Sequence, residues 1–396
     1  MDFSFSDEQR LLRDSVEGLI GDRYGDFERR KVYQQKAGGW SEAMWQDFAA
    51  MGLTALPFPE SIGGVGGGPV ETMIVMEAIG RALCLEPYLA TVVMAGSALR
   101  LAASEAQTGA LIAPLIRGER IATLAFGERQ SRYDLFDVAT SARRGGAGYV
   151  LDGQKSVVLH GDSADTLIVS ARTSGGRRDR NGITLFALDS ESPGVEIHGY
   201  QAQDGQRVAE VRLTGVALPD EAVLGGVDAG LPVLEAAIDH GIAALAAEAV
   251  GAMEGLHALT LDYLKTRRQF GVPIGSFQNL QHRAVDMLMA LEQARSMAMF
   301  AAMMLSAPPE ERGRAISAAK VQINRSARLI GQQAVQLHGA IGMTMEYKAG
   351  HYFKRLTAIE SLLGDTDHHV MRIARGGGLL AESHATENVA QDMDAI

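Results

Sequence analysis

At 396 residues the chain is long enough for two or three packed domains around a large apolar core. Its formal net charge of −11 excludes the broad basic field that nonspecific nucleic-acid binding requires, so any anionic ligand must be met by local cations. The one cysteine, Cys84, excludes an internal disulfide, and the early charges and the Glu- or His-interrupted apolar windows predict neither a signal peptide nor a membrane span, so the expected compartment is the cytoplasm.

Residues 1–118 are expected to form a helical domain. Ser6 precedes DEQRLLRDSVEGL as an N-cap with acids in the first turn, and Leu11, Leu12, Val16 and Leu19 share one helical face. Further helical runs follow at Trp40 to Gly52 and Pro69 to Leu83. Between them GGVGGG, Gly63 to Gly68, has neither a preceding strand nor a following Lys-Ser/Thr, so it is a turn and not a phosphate loop.

Residues 119–224 change to short β-rich runs, expected to make a middle β-barrel-like domain. Within GYVLDGQKSVVL, Asp152-Gly153 predicts a hairpin turn, because a two-residue turn needs positive φ. TLIVSA, GITLFAL and AEVRLTGVALP are further strands, and SGGRRDRNG, Ser174 to Gly182, is a polar hairpin tip whose arginines are expected to be solvated.

Residues 225–380 are helical again. Apolar periodicity runs from Leu231 to about Arg267, a helix of about 54 Å at 1.5 Å per residue, followed by Ser276 to Leu305 and by PPEERGRAISAAKVQINRSARLIGQQAVQLHG ending at Gly339. Long helices with short connections predict a four-helix bundle, giving an α+β multi-domain fold overall. Residues 381–396, AESHATENVAQDMDAI, are an acidic tail without basic residues. His368 and His369 are adjacent and diverge on a helix, and Cys84 stands alone, so no metal site is expected.

Several ordered segments carry a resemblance. FSFSDEQRLLRDSV at the start, YLKTRRQFGVPIGSFQNLQHRAVDM (Tyr263 to Met287) with its RxxFGxxIxxFQ form, and AVQLHGAIGMTMEY (Ala334 to Tyr347) with its Q-x-x-G-x-x-G-x-x-x-E-Y form resemble the acyl-CoA dehydrogenase family over nearly the whole chain. The resemblance implies an FAD-binding tetramer that removes the α proton of an acyl-CoA while the β hydride passes to the flavin. It implies that Arg267, Gln269 and Phe270, with Phe277 and Gln278 nearby, contact the FAD diphosphate and adenine side, and that Gln336, Leu337, Gly339 and Ala340 line the dinucleotide from an adjacent subunit. A diphosphate calls for a guanidinium and backbone amides, and Gly permits close backbone approach.

The β domain departs from the family pattern. Where a Thr-Glu-Pro start and a later Gly-Ser are usual in the flavin-covering loop, this chain has FGERQSRYDLFD, with Phe126 leading and Glu128 the residue kept in register. Val157, Val158 and Leu159 stand where Trp-x-Thr is frequent beside the flavin. A weaker or differently posed FAD is the expected consequence.

The base is the larger departure. The resemblance places a glutamate before a Gly-Thr in the loop here written LLGDTDHH, which falls on Leu363, or on the first long bundle helix, which falls on Gly241. Asp365 and Glu248 are the candidate substitutes, with Thr366 and Asp365 as flavin-side residues; capping or ion pairing is the competing role for each acid. Asp239 lies about 200° round the helix from Gly241 and points away. The loop and the altered β domain are most similar to the small subunits of two-gene bacterial enzymes such as pimeloyl-CoA dehydrogenase. Four expectations follow: a subunit acting on a fatty, dicarboxylic or steroid-side-chain acyl-CoA in β-oxidation with its base from a related large subunit, a homotetramer using Asp365 or Glu248, a silent FAD-site-completing scaffold, and a flavin oxidase or monooxygenase on the same fold. An electron-transfer flavoprotein is the acceptor that the resemblance implies.

Overall fold

A computed structural model describes residues 5–146 and 148–376. The acidic tail therefore lies outside the described residues. The first helix, α1 (Asp7–Tyr24), starts where Ser6 accepts from the Gln9 amide and the Gln9 side chain returns the bond, as a capping box should. It is followed by α2 (Phe27–Gln34), α3 (Glu42–Ala50) and α4 (Pro69–Ala82). The next helix, α5 (Leu89–Ala102), is π-helical over its first seven residues. Such widened turns push side chains out of the usual register and are frequent at functional sites.

The middle domain is a mixed sheet of β1 (Ala122–Ala125), β2 (Ser141–Gly145), β3 (Gly148–Leu159), β4 (Thr166–Arg172), β5 (Ile183–Asp189), β6 (Val195–Gln201), β7 (Arg207–Pro219) and β8 (Val223–Leu224). The strand order is β6-β7-β3-β2-β4-β5-β8, with β1 running parallel to β4. The hairpin expected at Asp152-Gly153 is not there: the chain turns before Gly148, and Asp152-Gly153 lies inside β3 at a bulge against β7. The reason is tertiary. Asp152 accepts from the Gly215 amide at 2.8 Å and pairs with Arg143, and a Cβ on Gly153 would meet Thr140 Oγ1 at 2.4 Å. Glycine serves close packing at this position, while a turn is made elsewhere.

The C-terminal domain contains α6 (Gly230–Thr266), α7 (Gln278–Met304), α8 (Pro309–His338), α9 (Lys348–Ser361) and α10 (Thr366–Arg375). A small hairpin of β9 (Arg268–Gln269) and β10 (Val272–Pro273) separates α6 from α7. Contrary to the sequence expectation, α6 is long and apolar enough to cross a membrane, with a window of mean hydropathy 1.3. That window is 78% buried inside the protein, which is the position of a bundle's central helix.

Candidate active site

A cleft of about 1200 Å³ opens where the β domain meets the bundle. One wall is the loop from Phe126 to Asp137 and the strand segment Ser156 to Leu159; the other is Ala90 and Met94 of α5, Ile238 and Ile242 of α6, the loop Ser361 to Leu363, and His368, Met371 and Arg372 of α10. A second bulge in β3, between Lys155 and Val158, turns Val157 to φ +55° and leaves it half exposed while Val158 is buried. Phe126, Glu128, Val157, Leu159, Leu363 and Asp365 therefore share this cleft; Thr366, Glu248 and Gly241 do not line it.

The loop wall is pinned by a buried ion pair. Lys155 donates to Glu128 at 2.7 Å and to Ser170 at 3.1 Å, and Glu128 also accepts from the Ala139 and Thr140 amides and from Gln130. Burial opposes the charge on Glu128, but the Lys155 ammonium and these donors outweigh it and hold the carboxyl down at about 2. The signal missed in the sequence is Lys155 itself, a lone cation inside an apolar strand. Because Glu128 takes up its proton at a lower pH folded than unfolded, its contribution to stability is present above the ordinary glutamate value of 4.5 and is lost as pH falls toward about 2. Glu128→Gln is expected to flatten that part of the acid slope, measured as urea midpoints across the range.

The polar tip between β4 and β5 is not simply solvated. Arg177 makes a two-pronged bond to Asp137 at 2.6 and 2.9 Å, Arg180 pairs with Glu235, and Arg177, Arg178 and Arg180 all line the cleft rim. Sequence reasoning missed this because their carboxylate partners lie 40 or more residues away.

The two positions that could hold a base meet in space. A Cβ on Gly241 would lie 2.9 Å from Leu363 Cδ1 and 3.0 Å from Met94 Cγ, so Leu363 and Met94 fill the volume a carboxylate would need. Leu363 itself sits at φ +58°. Asp365 caps α10, accepting from the His368 amide at 2.8 Å. Glu248 is buried elsewhere, taking both guanidinium bonds of Arg355 at 2.6 and 2.8 Å, while Arg355 also reaches Asp204 at 2.7 Å. Asp239 pairs with Arg312 and Arg372, and burial, partly offset by those two cations, raises its pKa. For Asp365, Glu248 and Asp239 alike, the contacts are those of a cap or an ion pair.

The loop is held from behind. His369 is buried, donates from Nε2 to the Leu363 carbonyl at 3.1 Å and accepts at Nδ1 from Ser317; burial first, then the neighbouring cations and His368, push it down to about 3. Lys320, also buried, donates to Asn324 and to the Ile359 carbonyl, and burial brings its ammonium down to about 7. Its sequence signal is a lysine on the apolar face of Ile316, Ile323 and Ala327. His368 packs against Tyr133 across the cleft, with ring centroids 5.2 Å apart.

The remaining site residues form a separate group. Arg267, Gln269, Phe270, Phe277 and Gln278 lie on the β9–β10 hairpin and at the start of α7, all exposed, and none lines the cleft. Phe270 is 91% exposed, an unusual position for an aromatic ring that no other chain covers. Arg267 has no carboxylate partner among the described residues, and α7, which follows the hairpin, starts without a side-chain cap and so leaves its first amides free of side-chain acceptors. At the end of α8, Gln336, Gly339 and Ala340 are exposed and Leu337 is buried. Gly339 has φ +63° with open space above it, allowing close approach to the backbone. These donors fit a diphosphate, and the stretch of cleft walled by Phe126, Val157, Leu159 and Met94 fits a planar ring system.

Models of the acyl-CoA dehydrogenase N-terminal, middle and C-terminal domains match residues 6–119, 123–216 and 228–378. A probable acyl-CoA dehydrogenase of Bacillus subtilis, YngJ, is 28% identical over 385 residues, covering 95% of this chain and 99% of its own. Among solved structures, a chain of the ChsE4-ChsE5 complex from Mycobacterium tuberculosis superposes with a TM-score of 0.86 at 26% identity, covering 97% of this chain and 100% of that one. A chain from the structure of the electron transferring flavoprotein of Acidaminococcus fermentans superposes with a TM-score of 0.88 at 26% identity, covering 96% and 100%.

Proposed function

As the chain belongs to the acyl-CoA dehydrogenase family, whose chemistry is FAD-dependent dehydrogenation of acyl-CoA, we propose that it is the subunit of a two-component enzyme whose α-proton acceptor comes from a related large subunit. The observation that carries this reading is the contact of Leu363, Met94 and Gly241, which puts apolar atoms at both base positions. The similarity to a chain of a two-component complex supports it.

FAD, when bound, supplies the acceptor for the hydride leaving the substrate β-carbon. The chain's own residues divide the remaining work. Arg267 and the start of α7 would hold the diphosphate, with Gln269, Phe270, Phe277 and Gln278 about it, and Gln336, Gly339 and Ala340 would face the dinucleotide of a neighbouring subunit, Leu337 being buried behind them. Phe126, Val157 and Leu159 form the ring-side wall, kept in place by the Lys155–Glu128 pair. Arg132, exposed at the rim without a carboxylate partner among the described residues, offers a cation to the CoA phosphates. Leu363 and Met94 exclude water from the acyl α-carbon.

The exposed Phe270, Val285 and Met289 favour a homo- or heterotetramer, because such a surface needs a partner chain. An electron-transfer flavoprotein is the acceptor this reading requires, and a cytoplasmic place in β-oxidation follows from it. A second reading, a homotetramer with Asp365 as base, is favoured by the position of Asp365 in the cleft wall.

The test mixes FAD-loaded protein anaerobically with a panel of acyl-CoAs, alone and co-purified with a related large subunit, and follows flavin bleaching. Bleaching with the partner and none without it is expected. Bleaching by the lone chain that Asp365→Asn abolishes would replace this reading by the second, and oxygen consumption in air would point to an oxidase.

A further inference from the structure

The helices α5 and α6 that close the large cleft also back onto a second, smaller pocket of about 220 Å³. Met94, Ile238 and Ile242 line the cleft; Val93 and Ser97 on α5 and His240 on α6 line the pocket behind it. Gly241, between His240 and Ile242, is where Met94 and Leu363 meet. The two cavities therefore lie on opposite sides of one helix crossing, with the flexible Met94 side chain at the partition.

The lining of the small pocket is chemically one-sided. It includes Arg100, His240 and the hydroxyls of Thr72, Ser97 and Ser306, and no carboxylate, in a chain whose acids outnumber its basic residues. Gly68 and Pro69, at the first turn of α4, also line it but add no free donor, because Pro69 has no N–H and the Gly68 amide is taken. The nearest acid in sequence, Glu71, is turned to the Gly68 amide at 2.7 Å and does not line the pocket.

Arg100 supplies the guanidinium of this pocket. Arg355 is compensated by Glu248 and Asp204 and Arg312 by Asp239, whereas Arg172 donates to four backbone carbonyls and Arg30 to two, each keeping one buried nitrogen without a partner. Arg100 donates to one, the Pro57 carbonyl at 2.9 Å, and has no ion pair among the described residues. His240 makes no hydrogen bond to a described residue; burial, and then Arg100 and Arg312, keep it neutral down to about 4. No nitrogen of Arg100 or His240 is both buried and without a partner, so the groups they leave unused face the pocket and are accessible to an anion.

We propose that this pocket binds a carboxylate, held by Arg100 with His240 and Ser97. The carboxylate is either the far end of an acyl chain whose thioester occupies the cleft, reached past Met94, or a free small carboxylate. The first source rests on the acyl-CoA reading above; the second does not.

Calorimetric titration of the FAD-loaded protein separates these sources without requiring turnover. The probes are glutaryl-, adipyl- and pimeloyl-CoA, each paired with the methyl-ended acyl-CoA of the same carbon number, and free acetate and glutarate. A chain-end site gives at least one ω-carboxyl member an advantage of about tenfold or more over its pair, the ratio expected for one charge-assisted hydrogen bond. Arg100→Gln removes that advantage, and Arg100→Lys restores part of it. A free-anion site gives acetate or glutarate binding that Arg100→Gln abolishes. If methyl-ended acyl-CoAs bind but no carboxylate is preferred or bound alone, the pocket assignment is overturned while the acyl-CoA reading stands. If no acyl-CoA binds and free carboxylates do, the cleft reading fails and the pocket stands.

Discussion

Leu363→Glu is expected to give the lone FAD-loaded protein a flavin-bleaching rate with acyl-CoA on the order of 10²–10⁴-fold above its own background, the usual contribution of one positioned general base. The side chain at 363 already points to Gly241 and Met94, where the resemblance places the α-proton acceptor, and the loop that carries it is held by His369 and Lys320 and needs no rearrangement. A glutamate there is surrounded by apolar atoms, which raises its pKa toward the range where a carboxylate is an effective base. Gly241→Glu is expected to do less, because its Cβ alone comes within 2.9 Å of Leu363. Anaerobic stopped-flow of both variants checks the order. No gain in Leu363→Glu, with a basal rate that Asp365→Asn removes, would return the base to Asp365.

The second large effect concerns stability. Arg355→Met leaves Glu248 and Asp204 buried without their cation, and breaking such a pair costs about 3–5 kcal/mol. Burial works against the Arg355 charge, but Glu248 and Asp204 outweigh it and push its pKa further up, so the cation is present at every working pH. Thermal unfolding is expected to fall by about 4–6 °C. Glu248→Gln should lower stability less and leave acyl-CoA bleaching in the two-subunit enzyme intact below the melting range. A Glu248→Gln variant of full stability and no bleaching would instead make Glu248 the base.

Why some of this was legible and some not follows from range. The bundle helices could be read because their periodicity, the Pro308-Pro309 start and the Gly339 stop are local, and α6, α7 and α8 end within a few residues of the expected places. Asp152-Gly153 misled because the same dipeptide serves a turn or a bulge, and the choice was made by Thr140 and Gly215, which only the sheet brings near. That Leu363 and Gly241 stand where the resemblance places a glutamate could be read from motifs. That these two positions touch, and that Met94 from another domain fills the space between them, depends on a contact spanning more than 120 residues. Glu128 shows the same limit: its register was visible, but its partner Lys155 was not, so a residue that lines the cleft is also the buried anchor of the loop.

The central claim is that this chain builds an acyl-CoA cleft without a proton acceptor of its own. Exchange of the substrate α-hydrogen with deuterated solvent reads that step directly, before any net oxidation. The lone FAD-loaded protein is expected to leave a bound acyl-CoA unexchanged, and adding the related large subunit to start exchange. Exchange at a comparable rate by the lone chain would contradict the account.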